Sequence, residues 1–271
     1  MLTRKERQAL LLRRIYSDNG FSYFRMSRFE EYDFYADKKD FLTSKNILTF
    51  TDADGRLMAL RPDVTLSLIK NAGEGKYHYS ETVYRVPKNS SSFREISQSG
   101  LEIIGEIGGS EIKEVIRLAL LSLETLSEGK KFVLAVADAG QIRRLLGRVD
   151  KRLALKYMSQ KNIHGLKEIG ASQNLIVLAG LDGSIEKSLV YLADETAEII
   201  SSIPNDNIRI DYSVAENLMY YDGIIFKGYI EGVPEAVLSG GKYRIMNKSG
   251  VGFAVYLDFI ERNNDDKYCA S

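Results

Sequence analysis

Cysteine is almost missing from this chain: Cys269 is the only one in 271 residues, and it lies in a polar tail. An intramolecular disulfide framework is therefore excluded, and the composition fits a reducing compartment, with Cys269 as a free tail thiol. Histidine is nearly as scarce. His78 and His164 are the only two and lie far apart in sequence, so neither a Cys/His metal cluster nor a histidine-based nucleophile relay is apparent. Each reads as structural or exposed. There is no surplus of either charge, 37 Lys and Arg standing against 37 Asp and Glu, and thus no overall basic field to advertise nucleic-acid binding. No apolar run approaches the roughly 20 residues that span a bilayer. The opening Met-Leu-Thr-Arg-Lys-Glu-Arg-Gln lacks the apolar core of a secretory signal. The expectation is a cytoplasmic protein without membrane segment, metal or cofactor.

What is present alternates between helical and strand periods. In residues 5–16, Ala9, Leu10, Leu12 and Ile15 recur near helical spacing, and Gly20 offers a stop. Residues 21–30 read as extended. Residues 47–60 read as a hairpin turned by Asp52-Ala-Asp-Gly55. Pro62 suits the first turn of a helix reaching Asn71, so that Asp63 and Thr65 either cap that helix or face a ligand amine. Two arms, 77–86 and 93–105, form a central hairpin in which Arg94, Gln98 and Glu102, four apart, share one face. Ser110 is placed to cap a helix from Glu111 whose Ile112, Val115, Ile116, Ala119, Leu120 and Leu123 make a buried stripe. Residues 132–137 read as a buried strand, 140–203 as helical, and 208–260 as a return to three strands. Gly240-Gly241 suits either close backbone approach to a ligand or an ordinary turn. The chain is accordingly divided into a core's first part (1–139), a mostly helical insert (140–204), the core's second part (205–260) and a polar tail (261–271).

The central hairpin resembles motif 2 of class II aminoacyl-tRNA synthetases, most closely that of histidyl-tRNA synthetase. Four further segments agree in order: Ala59-Leu-Arg-Pro-Asp-Val-Thr65, Tyr220-Tyr-Asp-Gly-Ile-Ile-Phe226, Ser239-Gly-Gly-Lys-Tyr243, and Gly250-Val-Gly-Phe-Ala-Val-Tyr-Leu-Asp258, the last resembling motif 3. The likeness runs from about residue 2 to 260. It implies an α+β fold: a class II synthetase-like antiparallel sheet flanked by helices, with a helical insert and no anticodon-binding domain after residue 260. It also implies a histidine pocket drawn from Asp63, Thr65, Arg85, Gln98, Glu102, Tyr220 and Tyr221, with an acid near the amino group and Glu102 and a tyrosine near the imidazole. A buried polar cluster that satisfies only itself is the alternative.

Several expected groups are changed. Asp258 is followed by Phe259 where the family has an arginine, and Glu216 stands where an arginine would meet the substrate carboxylate. Arg85 is followed by Val86-Pro87 where an acid is expected, and Ser27 stands where motif 1 has proline. Adenylation depends on cations placed where charge moves, and losing one such contact commonly costs about a hundredfold in rate. The pattern, with Tyr220-Tyr-Asp-Gly-Ile-Ile-Phe-Lys-Gly-Tyr229, resembles the paralogous family of ATP phosphoribosyltransferase regulatory subunits. That resemblance implies a non-catalytic homodimer in a hetero-oligomer with the short-form catalytic subunit, serving the first step of histidine biosynthesis and histidine feedback. It implies no nucleic-acid partner. The competing readings are a trimmed ligase that still forms an aminoacyl-adenylate, and an oligomerisation module with an empty pocket.

Overall fold

The computed structural model describes residues 2–36, 38, 42, 47–86, 92–181, 183–214, 218 and 220–260. The chain falls into two compact units, one of Met1–Gly105 with Ala254–Ser271 and one of Glu106–Phe253.

In the first unit, helix α1 (Arg4–Asp18) starts at a capping box, with Thr3 accepting from the Glu6 amide and the Glu6 carboxylate accepting from the Thr3 amide. Its buried line is Gln8, Leu12 and Tyr16, and Leu10 is half exposed. The helix is thus rotated from the expected stripe, because Tyr16 turns inward beside His78. Short strands β1 (Ser22–Tyr23) and β2 (Phe29–Glu31) follow, then helix α2 (Tyr32–Ala36). The expected hairpin is present as β3 (Thr49–Thr51) and β4 (Leu57–Leu60), in register Thr49 to Ala59, and β2 completes a three-stranded sheet in the order β2-β4-β3. Asp52 closes the turn by accepting from the Asp54 and Arg56 amides. Helix α3 spans Val64–Asn71 with Asp63 as its N-cap, so Pro62 precedes the cap and lies outside the first turn. The central hairpin is β5 (Gly75–Arg85) against β6 (Arg94–Ile104), paired without interruption from Gly75 opposite Ile104 to Arg85 opposite Arg94. Strand β1 runs parallel to β5.

In the second unit, helix α4 (Gly109–Ser127) buries the whole expected stripe. Its N-cap is Gly108, whose amide donates to the Glu111 carboxylate, and Ser110 lies inside the helix. The acid three residues on reaches back more effectively than the serine hydroxyl does. Strand β7 (Phe132–Asp138) is buried over its last five residues. Helices α5 (Ala139–Leu146), α6 (Lys151–Ser159), α7 (Ile163–Glu168), α8 (Gln173–Ala179), α9 (Ile185–Ser188) and α10 (Asp194–Ser201) follow. Asp138, Asp150, Asn162 and Ser172 each cap the helix after them. Strands β8 (Ile208–Ile210), β9 (Tyr221–Ile230), β10 (Leu238–Ile245) and β11 (Lys248–Tyr256) close the fold, in the order β11-β10-β9-β7-β8.

The final block therefore has four strands, and Gly240-Gly241 lies within β10, which overturns the turn reading. A side chain at Gly240 would collide with the Gly252 carbonyl, the Phe253 Cβ and the Phe226 ring. One at Gly241 would meet the Ile224 carbonyl and the Tyr221 ring. The pair is required by strand and ring packing. No helix among the described residues is long and apolar enough to cross a membrane.

Candidate functional site

The site begins with the pleat of the central hairpin. Because side chains alternate across a strand, Tyr77, Glu81 and Arg85 on β5 share a face with Glu102, Gln98 and Arg94, their respective partners on β6. Arg94 is exposed at one end of this face, while Gln98 and Glu102 are buried. Two links tie the face to the start of α3. The Thr65 hydroxyl donates to Glu102 Oε1 at 2.8 Å. Arg85 donates from Nε to the Pro62 carbonyl at 2.6 Å and from Nη2 to Asp63 Oδ2 at 2.9 Å.

Asp63 thus does two things at once. Its other oxygen accepts from the Leu66 amide at 2.9 Å, the helix cap expected of it. Of the two open readings of Asp63, helix cap or partner of a ligand amine, the structure shows the cap, and the other carboxylate oxygen is paired with Arg85. The pair is buried, so neither charge is screened by water, and the hydrogen bonds to Leu66 and Pro62 offset part of the desolvation cost. Gln98 differs from its neighbours: it is 3% exposed, and its carboxamide makes no hydrogen bond to another described residue. An amide with spare donors and acceptor has hydrogen-bonding capacity to offer a polar ligand or water. Tyr79, also buried, has its phenol pushed far up by burial and by the Glu102 and Asp63 carboxylates, so it stays protonated at any physiological pH.

Of the seven candidate residues, five are brought together in the first unit: Asp63, Thr65, Arg85, Gln98 and Glu102. Tyr220 and Tyr221 belong to the second unit, where their rings meet at 4.9 Å and Tyr220 also approaches Tyr243 at 5.7 Å. Arg143 holds the backbone there, donating to the Leu218 and Tyr221 carbonyls. Glu216 lies outside the described residues, as do the hairpin loop 87–91 and Cys269. Asp258 is engaged: it accepts from the Ser97 amide at 2.7 Å and pairs with Lys5 at 2.6 Å. The Phe259 ring lies 5.4 Å from that of Tyr256. An apolar ring therefore occupies the position after the acid.

Sequence reasoning missed the polar network beneath the site. Arg61, with no exposed surface, donates to the Ser27 carbonyl at 2.9 Å, to Glu81 Oε2 at 2.7 Å and to the Thr82 carbonyl at 2.9 Å. Glu81 in turn accepts from the Met26 amide. Glu30 accepts from the Tyr35 hydroxyl at 2.5 Å and from Ser67. The signal was an arginine inside the apolar-flanked Leu60-Arg61-Pro62, one step from the sequence pattern already noted. His78 is structural as expected, with Nε2 at 3.0 Å from the Ser17 hydroxyl. His164 is exposed beside Glu168. Among the described residues no group of three His, Cys, Asp or Glu side chains is arranged to hold a metal.

A motif-2 hairpin, a carboxylate-capped helix behind it and a glycine-bearing strand together define a class II synthetase-like core. The chain belongs to the histidyl-tRNA synthetase family, whose model matches residues 2–260. Its curated relatives are named as ATP phosphoribosyltransferase regulatory subunits. That of Lactococcus lactis subsp. cremoris (strain MG1363) is 26% identical over 94% of this chain and 91% of its own length. That of Clostridium botulinum (strain Langeland) is 28% identical over 92% of this chain and 69% of its own length. Among solved structures, an ATP phosphoribosyltransferase regulatory subunit/histidyl-tRNA synthetase from Bacillus halodurans superposes with a TM-score of 0.77 at 22% identity, covering 96% of this chain and 79% of that one. A chain of the ATP phosphoribosyl transferase complex from Thermotoga maritima gives 0.76 at 20% identity, covering 94% of this chain and 98% of that one. At these identities the superpositions establish the fold, which is the α+β, class II-like architecture expected from the motifs.

Proposed function

We propose that this chain is the non-catalytic regulatory subunit of an ATP phosphoribosyltransferase, working in a hetero-oligomer with the short-form catalytic subunit at the first step of histidine biosynthesis. The observation that carries the reading is the fate of the cations. Adenylation needs positive charge free to follow the electron density moving onto phosphate. Here Arg85 is spent on Asp63 and the Pro62 carbonyl, and the residue after Asp258 is an aromatic ring. The curated relatives, matched over nearly the whole chain, support the same role.

The regulatory ligand is histidine, held by the polar face of the central hairpin. Glu102, fixed by Thr65, accepts from an imidazole N–H, and the Gln98 carboxamide supplies the remaining polar contact. Feedback then requires histidine to bind the active and inhibited assemblies with affinities that differ by a coupling of about 1–3 kcal/mol. The protein is cytoplasmic in this reading, and the phosphoribosyl transfer itself takes place on the partner. The test mixes this protein with the short-form catalytic subunit and follows phosphoribosyl-ATP formation with and without histidine. Activity confined to the mixture, and lowered by histidine, is the expected result. Two folded subunits that remain inactive together would refute it.

A further inference from the structure

Charge is balanced over the chain but not along it. Residues 143–168 carry eight Lys and Arg against two acids, and the remainder is correspondingly acidic. Both acids in the stretch are occupied, Asp150 as the α6 cap and Glu168 beside His164. Arg143 and Lys161 have partners in Asp222 and Asp211. The other six cations, Arg144, Arg148, Lys151, Arg152, Lys156 and Lys167, are exposed and form no ion pair with any described residue.

Local electrostatics disfavours several of these positions. Lys151 and Arg152 occupy the first turn of α6, which has no acid among its own residues, although a helix N-terminus favours negative charge. Arg152 and Lys156 are four apart on one helix, a like-charge pair that destabilises it. Arg148 is four residues before Arg152, within about 14 Å even in extended chain. An ordinary solvated face intersperses both signs. This one concentrates a single sign, and of the six only Arg144, Lys156 and Lys167, in the last turns of α5, α6 and α7, gain from the helix dipole.

We infer that α5–α7 present an interaction surface for an acidic protein face. Its partner is the catalytic subunit, an assignment that rests on the regulatory-subunit reading. A compact acidic surface suits these helices better than nucleic acid on two grounds. None of the large exposed hydrophobic side chains falls in residues 143–168, so the stacking platforms that hold single strands are missing. A duplex carries one charge per about 1.7 Å of axis, and its line of charge runs on well past the nine residues of α6. A protein face of matching extent meets neither obstacle.

The test is the triple variant Arg148→Gln, Arg152→Gln, Lys156→Gln, measured for association with the catalytic subunit across a salt series. We expect association to slow by roughly tenfold at low salt and the salt dependence to flatten, as for steering charges. Thermal unfolding of the variant should occur no lower than that of the parent, since repulsion is relieved; this separates lost docking from lost folding. Unchanged association rate and salt slope would overturn the inference and leave the regulatory reading intact. A variant that loses duplex RNA binding while still joining the catalytic subunit normally would overturn it in favour of nucleic acid. If the parent protein forms no complex at all, the regulatory reading itself fails, and the assigned partner with it.

Discussion

Replacing Glu102 by glutamine isolates one charge in the proposed histidine site while leaving its geometry in place. Glu102 is 2% exposed and accepts from the Thr65 hydroxyl at 2.8 Å. A glutamine carbonyl of the same length accepts that hydrogen bond equally well, so the α3 to β6 link survives. What changes is the acceptor offered to an imidazole. A hydrogen bond to a charged group contributes about 1.5–3 kcal/mol and one between neutral groups about 0.5–1.5 kcal/mol. The expected loss is their difference, about 1–1.5 kcal/mol, or roughly a five- to tenfold rise in the dissociation constant for histidine. Calorimetric titration of histidine into the assembled complex reads this directly, and gel filtration checks that assembly is retained. An unchanged histidine affinity in a normally assembled Glu102→Gln complex would refute the placement of the imidazole at Glu102.

Three further outcomes follow from the packing. Arg61→Met leaves the half-buried Glu81 carboxylate and the Ser27 and Thr82 carbonyls without their donor; urea unfolding should show a loss of about 3 kcal/mol, and a loss below about 1 kcal/mol would show that the network is not structural. Gly240→Ala places a methyl against the Gly252 carbonyl and the Phe226 ring, so unfolding stability should fall by about 1–3 kcal/mol; a neutral result would mean that β10 tolerates a side chain there. His78 is held below its ordinary value first by burial and then by Arg13. The folded state therefore prefers the neutral ring: its contribution is complete above the unfolded value of about 6.5 and is lost as pH falls below it. Urea midpoints at pH 5 and 7.5 should converge in His78→Gln relative to the parent protein, and an equal pH dependence in both would place the titration elsewhere.

The fold was legible where periodicity was strong. The α4 stripe carries a 3.6 pattern, and β7 is a short continuous apolar run of strand length. It was illegible where one residue serves two constraints. Gly240-Gly241 reads as a turn because glycine marks turns, yet it sits in a strand because ring packing excludes a Cβ. The α1 face was misjudged because Tyr16, an amphipathic residue, outcompeted Leu10 for the interior. In the site, spacing placed Arg94, Gln98 and Glu102 on one strand face, and the motif resemblance made Gln98 and Glu102 pocket candidates. Arg61 was overlooked because a charged side chain is not expected to have zero exposure. Only its three acceptors, drawn from two separate segments, explain how it is buried.

The same accounting explains why the loss of some cations changes the meaning of those that remain. In an activating ligase the motif-2 arginine must be available to phosphate, which requires its neighbouring carboxylate to be engaged elsewhere, by a ligand amine. Here Arg85 is paired with Asp63 instead. A ligand ammonium arriving at Asp63 must compete with a guanidinium already in a buried, doubly hydrogen-bonded geometry, and breaking such a pair costs about 3–5 kcal/mol unless the newcomer replaces it. The balance of recognition thereby moves from the amino group toward the side-chain end of the ligand, at Gln98 and Glu102. Arg85→Met should consequently tighten binding of histidine, by freeing Asp63 for the amine, more than it tightens binding of imidazole, which has no amine. Equal responses of the two ligands would show that Asp63 is a helix cap and nothing more.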